Sequence, residues 1–252
     1  MTELTVIIPT YNEAKNIQNI IRSVTNMFTD NNIDGEILIV DDDSPDNTAD
    51  LAAKMGEQGC PVNVIKRLTD DKGLSQSVVC GFEESLSNKM VVIDADFSHP
   101  INLIPTMYKE LDHCDIVIGS RYMRGGAIKK WPLKRRVISL GATFMGRCLF
   151  PEITDPVSGF FAIRKSVIKD VQLESNGYKI LLEILGRGKY NENWIEIPFE
   201  FVDRTSGDSK LNLYIINDYL YQVIDLTLYS ILIDGGNSYR QWKNVVYRLF
   251  HS

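Results

Sequence analysis

The chain has 252 residues, 44% of them hydrophobic and 24% charged, with a formal net charge of −6 at pH 7. These values are typical of a globular protein that buries a substantial core. Its cysteines, Cys60, Cys80, Cys114 and Cys148, lie far apart without a C-x-x-C spacing. We therefore expect neither a cysteine metal site nor a redox pair, and a reducing compartment. Because no basic segment followed by an apolar one opens the chain, we also expect no secretory signal.

The first 120 residues alternate strand and helix patterns. Short apolar runs predict strands, and apolar residues at a 3.6-residue spacing between them predict helices. Ser44 and Pro45 are expected to begin the second helix, and the third should carry Val78, Phe82 and Leu86 on one face. The predicted strands are 4–8, 37–40, 62–65, 90–93 and 116–118. This order predicts an α/β protein with a mostly parallel sheet flanked by helices.

A basic stretch then interrupts the alternation. Residues 116–151 contain eight lysines or arginines and no aspartate or glutamate. Gly125 and Pro132 indicate loop structure, and strand patterns return at 160–163 and at 194–202, where Pro198 interrupts. A cationic island in an acidic protein favours a local anionic partner over nucleic acid, and a solvated basic loop is the alternative.

The C-terminal segment is amphipathic. Residues 211–233 are about long enough to span a membrane, but Asp218 and Asp225 would each cost about 2.5–3.5 kcal/mol at its centre. We therefore expect amphipathic helices there. Residues 239–250 place Trp242 among apolar residues on one face and basic side chains on the other. Such a helix suits a membrane interface, and equally packing on the core or on a second subunit.

Polar segments follow the predicted strands, and the ends of parallel strands meet at one edge of a sheet. Asp94-Ala95-Asp96 places two carboxylates one residue apart, which suits a divalent cation that keeps waters and binds phosphates. Pro9-Thr10-Tyr11-Asn12-Glu13 stands where a dinucleotide fold has G-x-G-x-x-G, so NAD and FAD are not expected. The other segments are Asp41-Asp42-Asp43-Ser44, Gly119-Ser120-Arg121-Tyr122 and Arg204 to Lys210. Together they describe a site for a nucleoside diphosphate.

Taken singly, these residues have simpler interpretations. Tyr11 suits a packed core, Glu13 a first-turn helix charge and 41–43 a helix cap. Arg204 and Lys210 could be surface charges of a turn. For His99, beside the aspartate pair, loop packing is favoured over metal ligation. Their coincidence at the strand ends favours the shared site.

These segments, extended to Asp94 through Pro100 and to Phe201 through Lys210, resemble the dolichyl-phosphate mannose synthases, which are inverting family-two glycosyltransferases. The resemblance covers about residues 4–211 in order and spacing. It implies a GT-A (Rossmann-like) catalytic domain over 1–211, followed by a C-terminal amphipathic helical segment over 212–252. It also implies transfer of mannose from GDP-mannose to dolichyl (polyprenyl) phosphate with Mg²⁺ or Mn²⁺.

The resemblance further implies roles for individual residues. Asp96, Arg121 and Arg135 would be catalytic, Asp94 and Asp96 would bind the metal, and Arg121, Arg135 and Ser139 would bind the acceptor phosphate. The implied nucleotide-sugar site consists of Pro9, Tyr11, Glu13, Val40, Asp42, Asp94, Ala95, Asp96, Arg121, Arg204 and Lys210. Ser98 departs from relatives in which a glutamine reaches the metal, and Gly73-Leu74-Ser75 departs from the usual Gly-Leu-Gly.

Several alternatives stay open. A phosphate acceptor is already an anionic nucleophile and needs cations, whereas a hydroxyl acceptor would need a carboxylate base, for which Asp155 and Glu183 are candidates. A UDP-glucose donor and a catalytically silent nucleotide-sugar-binding subunit are the others. The expected partners are GDP-mannose, the lipid phosphate, a membrane surface and either a membrane subunit or a second copy. The expected location is the cytoplasm, at the cytoplasmic face of a membrane.

Overall fold

A computed structural model describes residues 2–69, 71–129, 131–173, 179–191, 193–202 and 213–232. The strands in this part of the chain are β1 (Leu4–Thr10), β2 (Gly35–Asp41), β3 (Val62–Lys66), β4 (Lys89–Val92), β5 (Ile116–Ser120), β6 (Ala127–Lys129), β7 (Phe161–Arg164), β8 (Trp194–Pro198) and β9 (Glu200–Val202). The helices are α1 (Ile17–Asn31), α2 (Thr48–Glu57), α3 (Leu74–Glu84), α4 (Ile104–Glu110), α5 (Leu133–Leu149), α6 (Lys165–Ile168), α7 (Ile180–Arg187) and α8 (Leu213–Leu232).

The central sheet has seven strands in the order β3-β2-β1-β4-β7-β5-β8. Every strand runs parallel to the others except β7, which is antiparallel to both of its neighbours. The strands β6 and β9 form a separate parallel pair. The predicted α/β class with a mostly parallel sheet is therefore confirmed.

Two hydrophobic layers cover the two faces of the sheet. Successive residues of a strand point to opposite faces, so Val6 and Ile8 of β1 join the layer that contains α1, α2 and α4. Ile7 of β1 joins the layer that contains α3 and α7. Because both faces are buried, the strands read as continuous apolar runs in the sequence.

Two sequence-based expectations are wrong. The second helix begins at Thr48 and not at Ser44, whose hydroxyl instead donates to Asp41 (2.6 Å) and accepts the Asn12 N–H (2.9 Å). Leu86 lies beyond the end of α3 and is 79% exposed. In the basic stretch, Gly125 and Pro132 lie outside the helices and strands, as their residue types indicate, and the stretch also forms β6 and the 17-residue α5.

Helix α8 packs against α5 and α7 through Leu182, Tyr219 and Leu226. Its Asp225 is buried, and the Arg187 Nη2 of α7 donates to that carboxylate at 2.5 Å. This ion pair explains how an apolar helix accommodates an acid. None of the helices in the described residues is both long and apolar enough to cross a membrane.

Helix α8 lies in the segment 211–233, where amphipathic helices are expected, and its amphipathic character stays a prediction. The segment 239–252 lies outside the described residues, so its amphipathic helix stays a prediction. The division of the chain at residue 211 likewise stays a prediction.

Candidate active site

The carboxyl ends of the parallel strands meet at one edge of the sheet. The loop after β1 carries Tyr11 and Glu13 there, and the loop after β4 carries Asp94 and Asp96. Arg121 directly follows β5. The structure therefore brings the sequence-predicted residues of these three loops to a common edge. Arg204 and Lys210 lie outside the described residues.

The part of this edge that is predicted to bind the nucleoside is built from β1 and β2. Pro9 and Val40 are partners in the parallel ladder, so the two apolar positions predicted there are direct neighbours. Tyr11 is 42% exposed and is not a packed core tyrosine. The Glu13 carboxylate accepts a hydrogen bond from the Asn16 side chain at 2.9 Å. This arrangement leaves the tyrosine ring at the surface, where a base can stack on it.

The neighbouring acids Asp41 and Asp42 have different tasks. Asp41 is fully buried and accepts hydrogen bonds from Thr10 and Ser44, so it fixes the loops and is no free acceptor. The Asp42 carboxylate accepts the Gly73 N–H at 2.8 Å and forms an ion pair with Arg67. Sequence reasoning missed Arg67, although it follows β3 directly and the strand-end rule would have identified it.

The metal-binding candidates lie on a tight turn after β4. Phe97 adopts a positive φ of 61°, and the Asp96 Oδ1 accepts the Ser98 N–H at 3.0 Å. The Asp94 N–H donates to the His99 Nδ1 at 2.9 Å. The buried His99 ring stacks on Phe160 with centroids 5.2 Å apart. Burial lowers the pKa of His99 below its usual range, which keeps the imidazole neutral.

These contacts give His99 a packing role, because its Nδ1 already accepts a hydrogen bond from the Asp94 backbone N–H. The Asp94 side chain is 36% exposed, so it can reach a ligand at the edge of the sheet. Within the described residues no group of three His, Cys, Asp or Glu side chains could share an ion. Two hard carboxylates without a third protein ligand fit Mg²⁺ or Mn²⁺, which complete their coordination with water and phosphate.

The Ser98 hydroxyl is buried and has no hydrogen-bond partner among the described residues. Its burial at 2% exposure places it beneath the turn rather than at the open edge.

Replacing His99 tests this account of the turn. His99→Ala removes a buried acceptor and a stacked ring, so we expect it to lower the free energy of unfolding by about 2–4 kcal/mol. Because the Asp94 backbone loses its anchor, Mn²⁺ affinity should fall about tenfold. Urea unfolding and Mn²⁺ titration measure both. His99→Asn, which keeps an acceptor near the same place, should lose less, and equal losses in the two variants would contradict this role.

The cationic side of the edge is organised by a buried ion pair. The Arg121 Nε and Nη2 donate to the two oxygens of Asp155 at 2.7 and 2.8 Å, and the Arg121 N–H donates to the same carboxylate. Asp155 is fully buried and Arg121 is 8% exposed. The pair leaves Nη1 as the guanidinium nitrogen not used in it. Arg121 is therefore held in one orientation, with only part of its donor set available to a ligand.

Glu196 of β8 holds the segment that carries Asp155 in place through hydrogen bonds. Its Oε1 accepts from the Thr154 hydroxyl (2.8 Å) and from the Asp155 N–H (3.0 Å), and its Oε2 accepts the Thr154 N–H (2.9 Å). Sequence reasoning missed Glu196. The available signal was a charged residue inside the apolar pattern of β8.

Arg135 and Ser139, the other residues predicted to bind the acceptor phosphate, lie near Arg121 and are linked to it by aromatic side chains. The Arg135 and Arg121 guanidinium carbons lie 4.5 and 5.9 Å from the centre of the Trp131 ring. The Ser139 Oγ lies 2.9 Å from the Tyr122 Oη. Through Trp131 and Tyr122 the structure brings Arg121, Arg135 and Ser139 into one cluster, and their role toward an acceptor phosphate stays a prediction. Cations stacked on aromatic faces keep their charge available for a ligand.

The two candidate bases are both held in buried ion pairs. Asp155 is bound by Arg121, and the Glu183 Oε1 lies 3.1 Å from the Arg187 Nε. The Glu183 carboxylate also accepts from Gln222 at 3.2 Å. Both carboxylates are buried and bonded to an arginine, so neither is open to an acceptor hydroxyl.

Residues 5–172 match the family model described as glycosyl transferase family 2. The chain is 44% identical to a dolichol-phosphate mannosyltransferase of Pyrococcus furiosus over 92% of its own length and 66% of that protein, so it spans just under two thirds of that relative. It is 35% identical to the enzyme of the same name from Saccharomyces cerevisiae over 94% of this chain and 90% of that one. The corresponding protein of Mycosarcoma maydis is also 35% identical, over 88% and 78%.

Solved structures share the fold at lower sequence identity. Mannosyl-3-phosphoglycerate synthase from Rubrobacter xylanophilus superposes with a TM-score of 0.66 at 19% identity, covering 93% of this chain and 75% of that one. Glucosyl-3-phosphoglycerate synthase from Mycobacterium tuberculosis, in complex with Mn²⁺ and UDP, gives 0.64 at 19% identity, covering 90% and 79%. Both comparisons agree with the predicted GT-A architecture. The chain therefore belongs to glycosyl transferase family 2, with dolichol-phosphate mannosyltransferases among its relatives.

Proposed function

We propose that this chain transfers mannose from GDP-mannose to a polyprenyl (dolichyl) phosphate, with Mg²⁺ or Mn²⁺ and with inversion at the sugar carbon. The observation that carries the proposal is the pairing of two environments at one sheet edge. A carboxylate turn, Asp94 and Asp96, suits a metal-bound diphosphate, and a cation cluster beside Trp131 suits a second phosphate. The names of the sequence relatives support the acceptor and the sugar.

The roles of the residues follow from charge. Arg135 and Ser139 would bind the acceptor phosphate, and the fixed guanidinium of Arg121 would offset its repulsion by the donor diphosphate. A bound metal ion would stabilise the negative charge that develops on the departing diphosphate. Attack from the face opposite the departing group inverts the configuration. No base is required, which agrees with the ion-paired state of Asp155 and Glu183.

The donor nucleotide is inferred from the sequence relatives and from the residues after β1 and β2. The Mycobacterium tuberculosis structure contains UDP, and the residues after β1 and β2 supply acceptors that suit guanine or uracil. UDP-glucose is therefore the second candidate donor. Every sequence relative described above carries a mannosyltransferase name, which favours GDP-mannose.

The acceptor can be tested directly. With radiolabelled GDP-mannose and Mn²⁺, we expect transfer to dolichyl phosphate and none to dolichol, which presents a hydroxyl in place of the phosphate. The extracted lipid is counted after phase partition. Comparable label on dolichol would show a hydroxyl acceptor and overturn the proposed chemistry.

The partner surface for this acceptor is proposed to be helix α5. Its Leu133, Val137, Leu140 and Phe144 are 76%, 60%, 47% and 71% exposed and recur at helical spacing, so they form one apolar stripe. Arg135 and Ser139 of the same helix belong to the proposed acceptor site. An apolar face with basic neighbours is typical of a helix at a membrane surface. A lipid acceptor reaches the site if α5 rests on the bilayer that contains it, which supports association with a membrane surface. The cytoplasmic face stays a prediction.

Charged substitutions on the stripe test this surface. In Leu140→Glu/Phe144→Glu, each lost apolar contact is worth about 1.5–3 kcal/mol, so binding to anionic liposomes should fall at least tenfold. Turnover of dissolved farnesyl phosphate should stay within about threefold of wild type. Leu68→Glu, at a 75% exposed position away from α5, is the matched control. Unchanged co-sedimentation of the double variant would contradict the assignment. A membrane subunit and a second copy of the chain stay predictions.

A further inference from the structure

Arg67, the first residue after β3, joins three segments beside the predicted nucleoside site, and the proposed mechanism gives it no role. Its backbone N–H donates to the Asp41 carbonyl at 2.8 Å. Its Nη1 donates to the Asp42 Oδ1 and to the Ser77 hydroxyl (3.3 Å), and its Nη2 donates to the Asp71 carbonyl at 2.6 Å. One guanidinium therefore ties the end of β2 to α3 and to the segment that connects β3 with α3.

The Asp42 carboxylate is fixed at both of its oxygens. Oδ1 accepts from Arg67, and Oδ2 accepts the Gly73 N–H at 2.8 Å. The side chains of Arg67 and Asp42 are 10% and 6% exposed, so the pair is largely removed from water. Because a carboxylate oxygen has two acceptor positions, each oxygen of Asp42 has one position beyond these two bonds. Asp42 therefore offers its acceptors to a ligand in a single orientation.

We propose that Arg67 is a positioning residue for nucleobase recognition, which orients Asp42 to accept the N1–H and N2–H donors of guanine. The assignment rests on the proposed function, in which Asp42 binds the nucleoside of GDP-mannose. Guanine has these two donors side by side, whereas uracil has one N–H between two carbonyl oxygens that a carboxylate repels. An acceptor held in one orientation rejects a base without matching donors, because the acceptor is then left unpaired. Arg67 thus acts on base selection through Asp42.

Arg164 provides a matched arginine without such a role. It ends β7 opposite the first residue of β4, so it lies at the far end of the sheet from the site. Its Nε donates to the carbonyls of Leu111 and Cys114 at 2.6 and 3.1 Å, and the Asp115 carboxylate lies 3.8 Å away. Like Arg67, it fastens separate segments together, but it orients no carboxylate of the nucleoside site.

The test compares Arg67→Met and Arg67→Lys with Arg164→Met on the full chain. Calorimetry with Mn²⁺ measures affinities for GDP, UDP, inosine diphosphate, which lacks the N2 amine of guanine, and pyrophosphate, which lacks the nucleoside. Wild type should bind GDP about tenfold or more tighter than inosine diphosphate or UDP, since a hydrogen bond to a charged group is at stake. Arg67→Met should reduce this preference to about threefold or less, with pyrophosphate affinity within about twofold of wild type.

The other two variants separate positioning from stability. Arg67→Lys keeps a charge beside Asp42 but lacks the planar fork that reaches Ser77 and Asp71 as well, so its preference for GDP should be intermediate. Arg164→Met should lower the melting temperature and leave all four affinities unchanged. Arg67→Met should also lower the melting temperature, because Asp42 loses its counter-charge. If that variant does not fold, Arg67→Lys decides the outcome.

The result that would overturn the proposal is an unchanged preference for GDP in the folded Arg67 variants, or a loss of pyrophosphate affinity equal to the loss of GDP affinity. A wild-type chain that transfers mannose but binds GDP and inosine diphosphate equally would overturn it too, while the proposed function stands. Conversely, the expected affinities in a chain that transfers no sugar to dolichyl phosphate would refute the proposed function and support the role of Arg67.

Discussion

Asp96→Asn is expected to lower the rate of sugar transfer by a factor of about 10³ or more while leaving the fold intact. The amide keeps the size of the carboxylate and can still accept the Ser98 N–H, so the turn after β4 should persist. What it loses is the negative charge that a divalent cation requires. The transfer rate is measured with saturating Mn²⁺, and the circular dichroism spectrum shows whether the fold is intact.

Asp30→Asn serves as the matched control, since Asp30 is an exposed aspartate on α1. It should change neither rate nor fold. A transfer rate for Asp96→Asn within tenfold of wild type would remove the metal role from this aspartate.

Arg121→Ala is expected to cost about 3–5 kcal/mol of folding free energy, because it leaves the fully buried Asp155 without its counter-charge. Urea unfolding measures the loss. The Thr154 and Glu196 contacts behind Asp155 should loosen with it. A cost below about 1 kcal/mol would show that the pair is not buried as the structure has it.

A double variant separates stability from function at the same pair. Arg121→Leu/Asp155→Leu removes both charges, and such apolar replacements are often neutral in stability. We expect it to recover most of the lost free energy and to stay inactive in transfer, since the acceptor phosphate loses a fixed cation. Recovery of both stability and activity would show that Arg121 is only structural.

The sheet could be predicted because both of its faces are buried, which turns each strand into an apolar run. Helix α5 could not. A helix is recognised by apolar residues on its core side and polar ones outside, whereas α5 exposes Leu133, Val137, Leu140 and Phe144. A helix with apolar residues on both sides carries no such contrast.

The site residues at the ends of strands could be predicted from the sequence. The hydrogen bonds between residues far apart in the sequence could not. Asp94, Asp96 and Arg121 follow strands directly, so their shared edge follows from parallel topology. The bond between Arg121 and Asp155 joins residues 34 positions apart, and no local pattern encodes it. For the same reason, the sequence offered Asp155 as a base, whereas the structure uses it as a counter-charge.

A single transfer assay tests both the proposed donor and the proposed lipid-phosphate acceptor. The protein is incubated with dolichyl phosphate, Mn²⁺ and each of labelled GDP-mannose, UDP-glucose and UDP-galactose in turn, and label in the organic phase is counted with and without EDTA. We expect label from GDP-mannose alone, and we expect EDTA to abolish it. Label from UDP-glucose without label from GDP-mannose would contradict the proposed donor, and label from none of the three would contradict transfer to a lipid phosphate.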